Sequence, residues 1–192
     1  MTDPSEAGLT RLPAGLPVPV DDGAAAHLPG AKIPHIALPS TSGERVALDR
    51  LGPRTVLFLY PMTGRPGVAL PEGWDLIPGA RGCTPEACGF RDRHAELLAK
   101  GVAVLGLSSQ SPEAQLEAAR RLELPFPLLS DERLLTARAL GLPTFEVEGR
   151  RLFRRLTLVV SGGVVERVFY PVFPPDRHAD EVLAWLQTDA TV

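Results

Sequence analysis

Cysteine is scarce in this chain: two thiols, Cys83 and Cys88, in 192 residues. That number is far too small for a disulfide scaffold, and it makes a reducing cytoplasm the expected compartment. Asparagine is absent, and lysine is limited to Lys32 and Lys100, while arginine supplies the other 18 of the 20 basic residues. We read that bias as one of genome composition, not of function. No apolar run approaches the ~18 residues that a membrane span requires, so no membrane association is expected. Net charge is small as well. Lys plus Arg number 20 against 23 Asp plus Glu, and the formal charge of −3 gives no general reason to bind nucleic acid. The opening Met1-Thr2-Asp3-Pro4-Ser5-Glu6 is acidic, where a secretory signal needs a basic start and an apolar stretch.

What remains is an ordinary globular composition, 44% apolar and 22% charged, at a length that suits one medium domain. With 18 glycines and 20 prolines the chain is rich in loops, though short of the ~25–30% that marks low complexity. Residues 1–30 hold Pro4, Pro13, Pro17, Pro19 and Pro29 and few bulky side chains, so they read as an arm, with Val18 and Val20 as a short edge strand. The folded domain is expected over 31–192.

Thr55-Val56-Leu57-Phe58-Leu59-Tyr60, stopped by Pro61, is a continuous apolar run suited to a strand buried on both faces. Val102–Leu107 is a second such run. Between them, Thr84-Pro85-Glu86 reads as a helix start with Thr84 as cap and Pro85 in the first turn. Ala87, Phe90, Arg91, His94, Leu97 and Leu98 then share one face, and Gly101 ends the helix. A strand, a helix and a strand in that order imply a parallel pair. Ser111-Pro112-Glu113 opens another helix that ends near Leu122, and Asp131 caps a short one that stops at Gly141. Two strands follow, about 152–160 and 164–170, joined by Ser161-Gly162-Gly163 as a hairpin turn. After Asp176, the stripe Ala179, Val182, Leu183 and Leu186 marks a last helix. The whole describes one α/β domain.

Both cysteines lie in Gly82-Cys83-Thr84-Pro85-Glu86-Ala87-Cys88, five positions apart at a helix start. Unpaired backbone N–H groups and the helix dipole favour thiolate there, and thiolate is the nucleophile. A second cysteine nearby can trap an oxidised sulfur as a disulfide. Cysteine is also a small buried hydrophobe, and Cys88 suits the inner side of this helix. Spacing alone leaves redox chemistry and inert packing both open. A zinc site needs two further ligands, and His27, His35, His94 and His178 show no pairing that would supply them.

The segment from Gly82 through Asp92 closely resembles the active-site segment of peroxiredoxins of the bacterioferritin-comigratory, or Q, type. The resemblance runs from about Lys32 to Leu186. It includes Gly106-Leu107-Ser108, the stretch Leu124-Pro125-Phe126-Pro127-Leu128-Leu129-Ser130-Asp131, and Arg155-Leu156-Thr157-Leu158-Val159. It implies a thioredoxin-like fold, a central mixed sheet flanked by helices. It makes Cys83 the peroxidatic residue, Cys88 the resolving one and Arg155 the third catalytic element. It further implies a hydroperoxide substrate, a thioredoxin-like protein reductant, no haem, flavin or metal, and a monomer or weak dimer. The neighbouring arginines, from Arg150 to Arg154, are expected to form a solvated face.

One departure stands out. The family usually carries Pro-x-x-x-Thr-x-x-Cys, and here the threonine and proline positions are Ala80 and Leu76. After Tyr60-Pro61 a segment around 62–79 is inserted, in which Thr63 is a candidate to restore the missing hydroxyl and Trp74 to anchor the insertion by packing. Two other readings are carried alongside: a thioredoxin-like disulfide oxidoreductase, although its usual Cys-x-x-Cys is absent, and a non-catalytic redox sensor or holdase.

Overall fold

Strand β3 (Arg54–Leu59) is apolar along its length because both of its faces are covered. Val56 and Phe58 point to one layer, Leu57 and Leu59 to the other, as the two-residue period of a strand requires. The computed structural model describes residues 6–189. In it β3 is the middle of a five-stranded sheet. It pairs in parallel with β4 (Ala103–Ser108), which pairs in parallel with β5 (Leu128–Ser130). On its other side it runs antiparallel to β8 (Leu156–Ser161), which pairs antiparallel with β9 (Val164–Phe169). The sheet is therefore mixed, flanked by helices, and thioredoxin-like as expected.

One face of the sheet is covered by α2 (Cys83–Ala99), α3 (Pro112–Arg121) and α5 (His178–Asp189) through Ala87, Phe90, Leu97, Ala118, Val182 and Leu186. Phe58 stacks on Phe90 with ring centroids 4.7 Å apart. Gly106 of β4 makes room for that stack, since a Cβ there would stand 2.8 Å from Phe58 Cζ and 2.5 Å from Leu128 Cδ2. The other face packs against α4 (Leu135–Leu140) and against Leu28, Ile33, Leu38 and Leu48 from the first part of the chain. The latter includes a short ribbon, β1 (Ala37–Pro39) with β2 (Arg45–Ala47). The start at Ser111 is capped as its residue type suggests, whereas α4 has Leu134 as its cap and Asp131 serves its first N–H groups from three residues earlier. The Ser111 hydroxyl accepts from the Ala114 N–H, and the Asp131 carboxylate accepts from the Leu135 and Thr136 N–H groups.

Several local expectations are corrected. Val18 and Val20 are exposed and belong to no strand, because the prolines that alternate with them carry no N–H for a ladder. The cap of α2 is Gly82, not Thr84, which is already inside the helix. Leu98 is exposed, on the outer side of that helix. The single strand expected over 152–160 is two. β7 (Arg150–Phe153) turns away to pair with β6 (Thr144–Val147), and β8 starts three residues after it ends. The break leaves Arg154 and Arg155 outside any strand, which frees Arg155 to reach α2. Before β1, helix α1 (Glu6–Thr10) buries Leu9, and residues 30–33 bond to the edge strand β9 through Gly30 N–H to Val165 O and Ile33 N–H to Gly163 O.

Candidate active site

Cys83 is the first residue of α2, and the turn before it has to be glycine. Gly82 sits at φ 106°, and a Cβ there would stand 2.8 Å from Leu12 Cδ2 and press into Pro175. The Cys83 side chain is buried. Its thiol points at the Ala80 carbonyl, 3.6 Å away, and the Met62 backbone N–H is directed at the sulfur.

Arg155 reaches the same atom from 72 residues further on. Its Nη2 donates to Cys83 Sγ at 3.1 Å and to the carbonyls of Ala80 and Arg81, each at 3.2 Å, while Nε donates to Gly79 O at 3.3 Å. Its Nη1 is paired with the Glu86 carboxylate, and both side chains are buried. A guanidinium held by three carbonyls of one turn and by a buried carboxylate cannot drift, so its charge is aimed at the sulfur before any substrate arrives. The structure thus brings Cys83 and Arg155 together. Arg151 points away, exposed and paired with Glu146 at 3.1 Å.

Electrostatics at the sulfur differ from the thiolate-favouring expectation. Burial pushes the Cys83 thiol above its ordinary value and Arg155 offsets only part of this, with Glu86 pushing in the same direction as burial. Burial likewise holds the Glu86 carboxyl above the usual carboxylate range, with Arg155 opposing it. The helix terminus that the sequence reading relied on is present. Burial of the sulfur acts against it.

Cys88 lies one and a half turns along α2, partly buried against the helical layer, and the two sulfurs are not joined. It lines a cleft of about 350 Å³ with Pro85, Gly89, Arg91 and Asp92. Cys83 lines a different and much smaller cavity, about 10 Å³, with Leu9, Met62, Leu70, Trp74 and Arg81 among its walls. A larger hollow of about 530 Å³, between Ser42, Leu116, Arg120 and Phe126, holds neither thiol.

The methyl of Ala80 stands fully buried where the family's hydroxyl is usual. Thr63 does not take that role here, because its N–H and its hydroxyl both donate to Gln110 Oε1, at 2.8 and 3.1 Å. Its neighbour Met62 turns its backbone N–H to the sulfur instead. Trp74 is 2% exposed and packs with Ala80, Val147 and Leu152, its ring 6.1 Å from that of Phe145, so it anchors the insertion as expected. Sequence reasoning missed Glu86 and Met62. A carboxylate in the first turn of a helix is ordinary dipole chemistry, and only the 69-residue return of Arg155 gives Glu86 its second meaning.

Comparison with known proteins agrees with this geometry. Residues 28–183 match the family described as Redoxin. The chain is 31% identical over 160 residues to the chloroplastic peroxiredoxin Q of Sedum lineare, covering 83% of this chain and 77% of that one. Among solved structures it is similar to peroxidoxin BcpB from Mycobacterium tuberculosis, at 28% identity and a TM-score of 0.65, over 84% of this chain and 98% of that one. It is also similar to Xanthomonas campestris peroxiredoxin Q, at 26% identity and a TM-score of 0.62, over 81% and 92%. A redoxin domain, a mixed thioredoxin-like sheet and a helix-start cysteine under a buried arginine place the chain in the Redoxin family, among the peroxiredoxins of the Q and bacterioferritin-comigratory type.

Proposed function

We propose that this peroxiredoxin reduces hydrogen peroxide and organic hydroperoxides with Cys83 as the attacking thiol, Cys88 as the resolving thiol and Arg155 as the fixed cation. The observation that carries the assignment is the buried 3.1 Å contact from Arg155 Nη2 to Cys83 Sγ. The Cys83 thiolate attacks the terminal peroxide oxygen. An S–O bond forms, the O–O bond breaks, and the departing alkoxide or hydroxide takes up a proton to leave as alcohol or water. Arg155 bears the negative charge as it moves from sulfur to oxygen. The Cys88 thiolate then attacks the sulfur of the Cys83 sulfenic acid. The sulfenic oxygen leaves as hydroxide, which takes up a proton to become water, and a Cys83–Cys88 disulfide remains, to be reduced by thiol–disulfide exchange with a thioredoxin-like dithiol protein. An antioxidant role in the cytoplasm, as a monomer or weak dimer, fits the two-thiol composition.

The test is mass spectrometry after one equivalent of peroxide, with turnover followed in the presence of reductant. Cys83→Ser should abolish peroxide consumption. Cys88→Ser should react once and accumulate sulfenic acid, or its overoxidised products, on Cys83. Loss of the first oxidation step in both variants alike would overturn the division of labour. Consumption limited to the protein's own thiols would mark a sensor instead of an enzyme.

A further inference from the structure

Helix α1 lies across both thiols. Its buried side chain, Leu9, is 4% exposed and forms the roof of the Cys83 cavity, whose other apolar walls are Met62, Leu70 and Trp74. The fit is tight, since a methyl on Gly64 would stand 2.5 Å from Leu9 Cδ2. Arg81, itself buried, donates to the Gly8 carbonyl of α1 and reaches Asp75 of the insertion at 3.4 Å, so one side chain ties helix and insertion together. The next residue of α1, Thr10, lines the Cys88 cleft.

A cavity of about 10 Å³ has room for about one water molecule. Hydrogen peroxide has two bonded oxygens and an organic hydroperoxide is larger still, so neither reaches the sulfur while Leu9 occupies its seat. Withdrawal of α1 leaves a chamber walled by Met62, Leu70 and Trp74, into which an alkyl or aryl group partitions for the same reason that Leu9 does. We propose that α1 is a lid, and that Leu9 stands where the apolar group of an organic hydroperoxide binds. Leu9 is then a specificity-determining residue that competes with substrate. The inference rests on Cys83 being the attacking thiol. Opening the lid also lets water reach the sulfur and relieves the burial that pushes its thiol up, so one movement favours both substrate access and thiolate formation.

The experiment uses full-length Cys88→Ser protein, which isolates Cys83, and adds Leu9→Asp to expel α1 or Leu9→Ala to weaken its hold. Iodoacetamide alkylation reports access to Cys83 without peroxide. Single-turnover oxidation by hydrogen peroxide and by cumene hydroperoxide reports the reaction, and cumyl alcohol serves as a non-oxidising occupant of the chamber. Loss of the buried leucine should raise alkylation and both oxidation rates by about tenfold, and cumyl alcohol should inhibit at about tenfold lower concentration because it no longer displaces Leu9. Leu9→Ala should move each readout in the same direction by less. Leu76→Ala, at an exposed site on the insertion, should leave the rates unchanged. Unaltered alkylation with normal oxidation would overturn the lid while leaving the peroxidase reading intact. Faster oxidation with unaltered cumyl alcohol inhibition would overturn the assignment of the chamber. Faster alkylation without oxidation by either peroxide would overturn the peroxidase reading, and the substrate assignment with it.

Discussion

Cys83 and Cys88 belong to one continuous helix, α2, yet they open into different cavities. Five residues of regular helix rise about 7.5 Å and turn about 500°, which separates the two Cα atoms by about 8.7 Å. A disulfide needs Cα atoms within ~6.8 Å. The proposed Cys83–Cys88 disulfide therefore cannot close on this scaffold, and its formation requires the first turns of α2 to unwind. Oxidised protein should show faster amide exchange over residues 83–91 than reduced protein, with the sheet unchanged. Gly89→Ala tests the mechanism directly. The new methyl would meet Ala179 Cβ at 3.6 Å and the Asp176 carbonyl oxygen at 3.7 Å, so it fits. By strengthening the helix by roughly 1 kcal/mol it should slow disulfide closure up to about fivefold and spare the first oxidation step. Equal protection of α2 in both redox states, with the disulfide confirmed, would refute local unwinding.

Glu86 and Cys83 compete for one cation. Glu86→Gln removes a negative charge that pushes the Cys83 thiol up, so the midpoint of its alkylation profile should move to lower pH. The same change loosens Arg155, and peroxide attack measured above that midpoint should slow, by about tenfold. Thiol acidity and reactivity would then part company. An unmoved midpoint would mean that Glu86 carries its proton in the resting enzyme.

Arg155→Met should act on the sulfur in the opposite sense, raising the Cys83 midpoint and slowing peroxide attack by about 10²–10³-fold. It also leaves a buried carboxylate without its partner, a loss of about 3–5 kcal/mol in a denaturation midpoint. Adding Glu86→Gln should restore most of that stability and none of the rate. Arg151→Met, on the exposed ribbon, should change neither by more than about 0.5 kcal/mol.

Gly106→Ala tests the packing behind the site. The added carbon would press on Phe58 and Leu128, so overpacking should lower stability by about 1–3 kcal/mol in urea denaturation. The folded fraction should keep its peroxide reactivity, because Gly106 lies in the sheet and not at the sulfur.

The elements that could be read in advance are those whose signal is local. Thr55–Tyr60 and Val102–Leu107 announce buried strands because both faces are covered, and Ser111 and Asp131 announce helix starts because their side chains accept backbone N–H groups nearby. The break after Phe153 could not be read. Apolar residues lie on both sides of the Arg154-Arg155 pair between Leu152 and Val160, and that pair does not by itself reveal that the chain changes strand partner there. The cysteine pair and Arg155 stood out through their motif. Glu86, Met62 and Leu9 did not, since each gains its meaning from a neighbour far along the chain. The raised thiol pKa is of the same kind, because burial comes from several segments folding over one atom.

The inserted segment and the β6–β7 ribbon share a small core of their own: Trp74 and Ala80 from one side, Val147 and Leu152 from the other, with Phe145 against the indole. Each half is the cover of the other. Trimming the insertion back to a short loop would strip the ribbon of its shelter and leave an apolar patch seeking a neighbouring molecule. Grafting the insertion onto a relative would transplant only half an interior. Loop and ribbon thus form a single interchangeable part, and a sequence that lengthens or shortens one is constrained to rebuild the other.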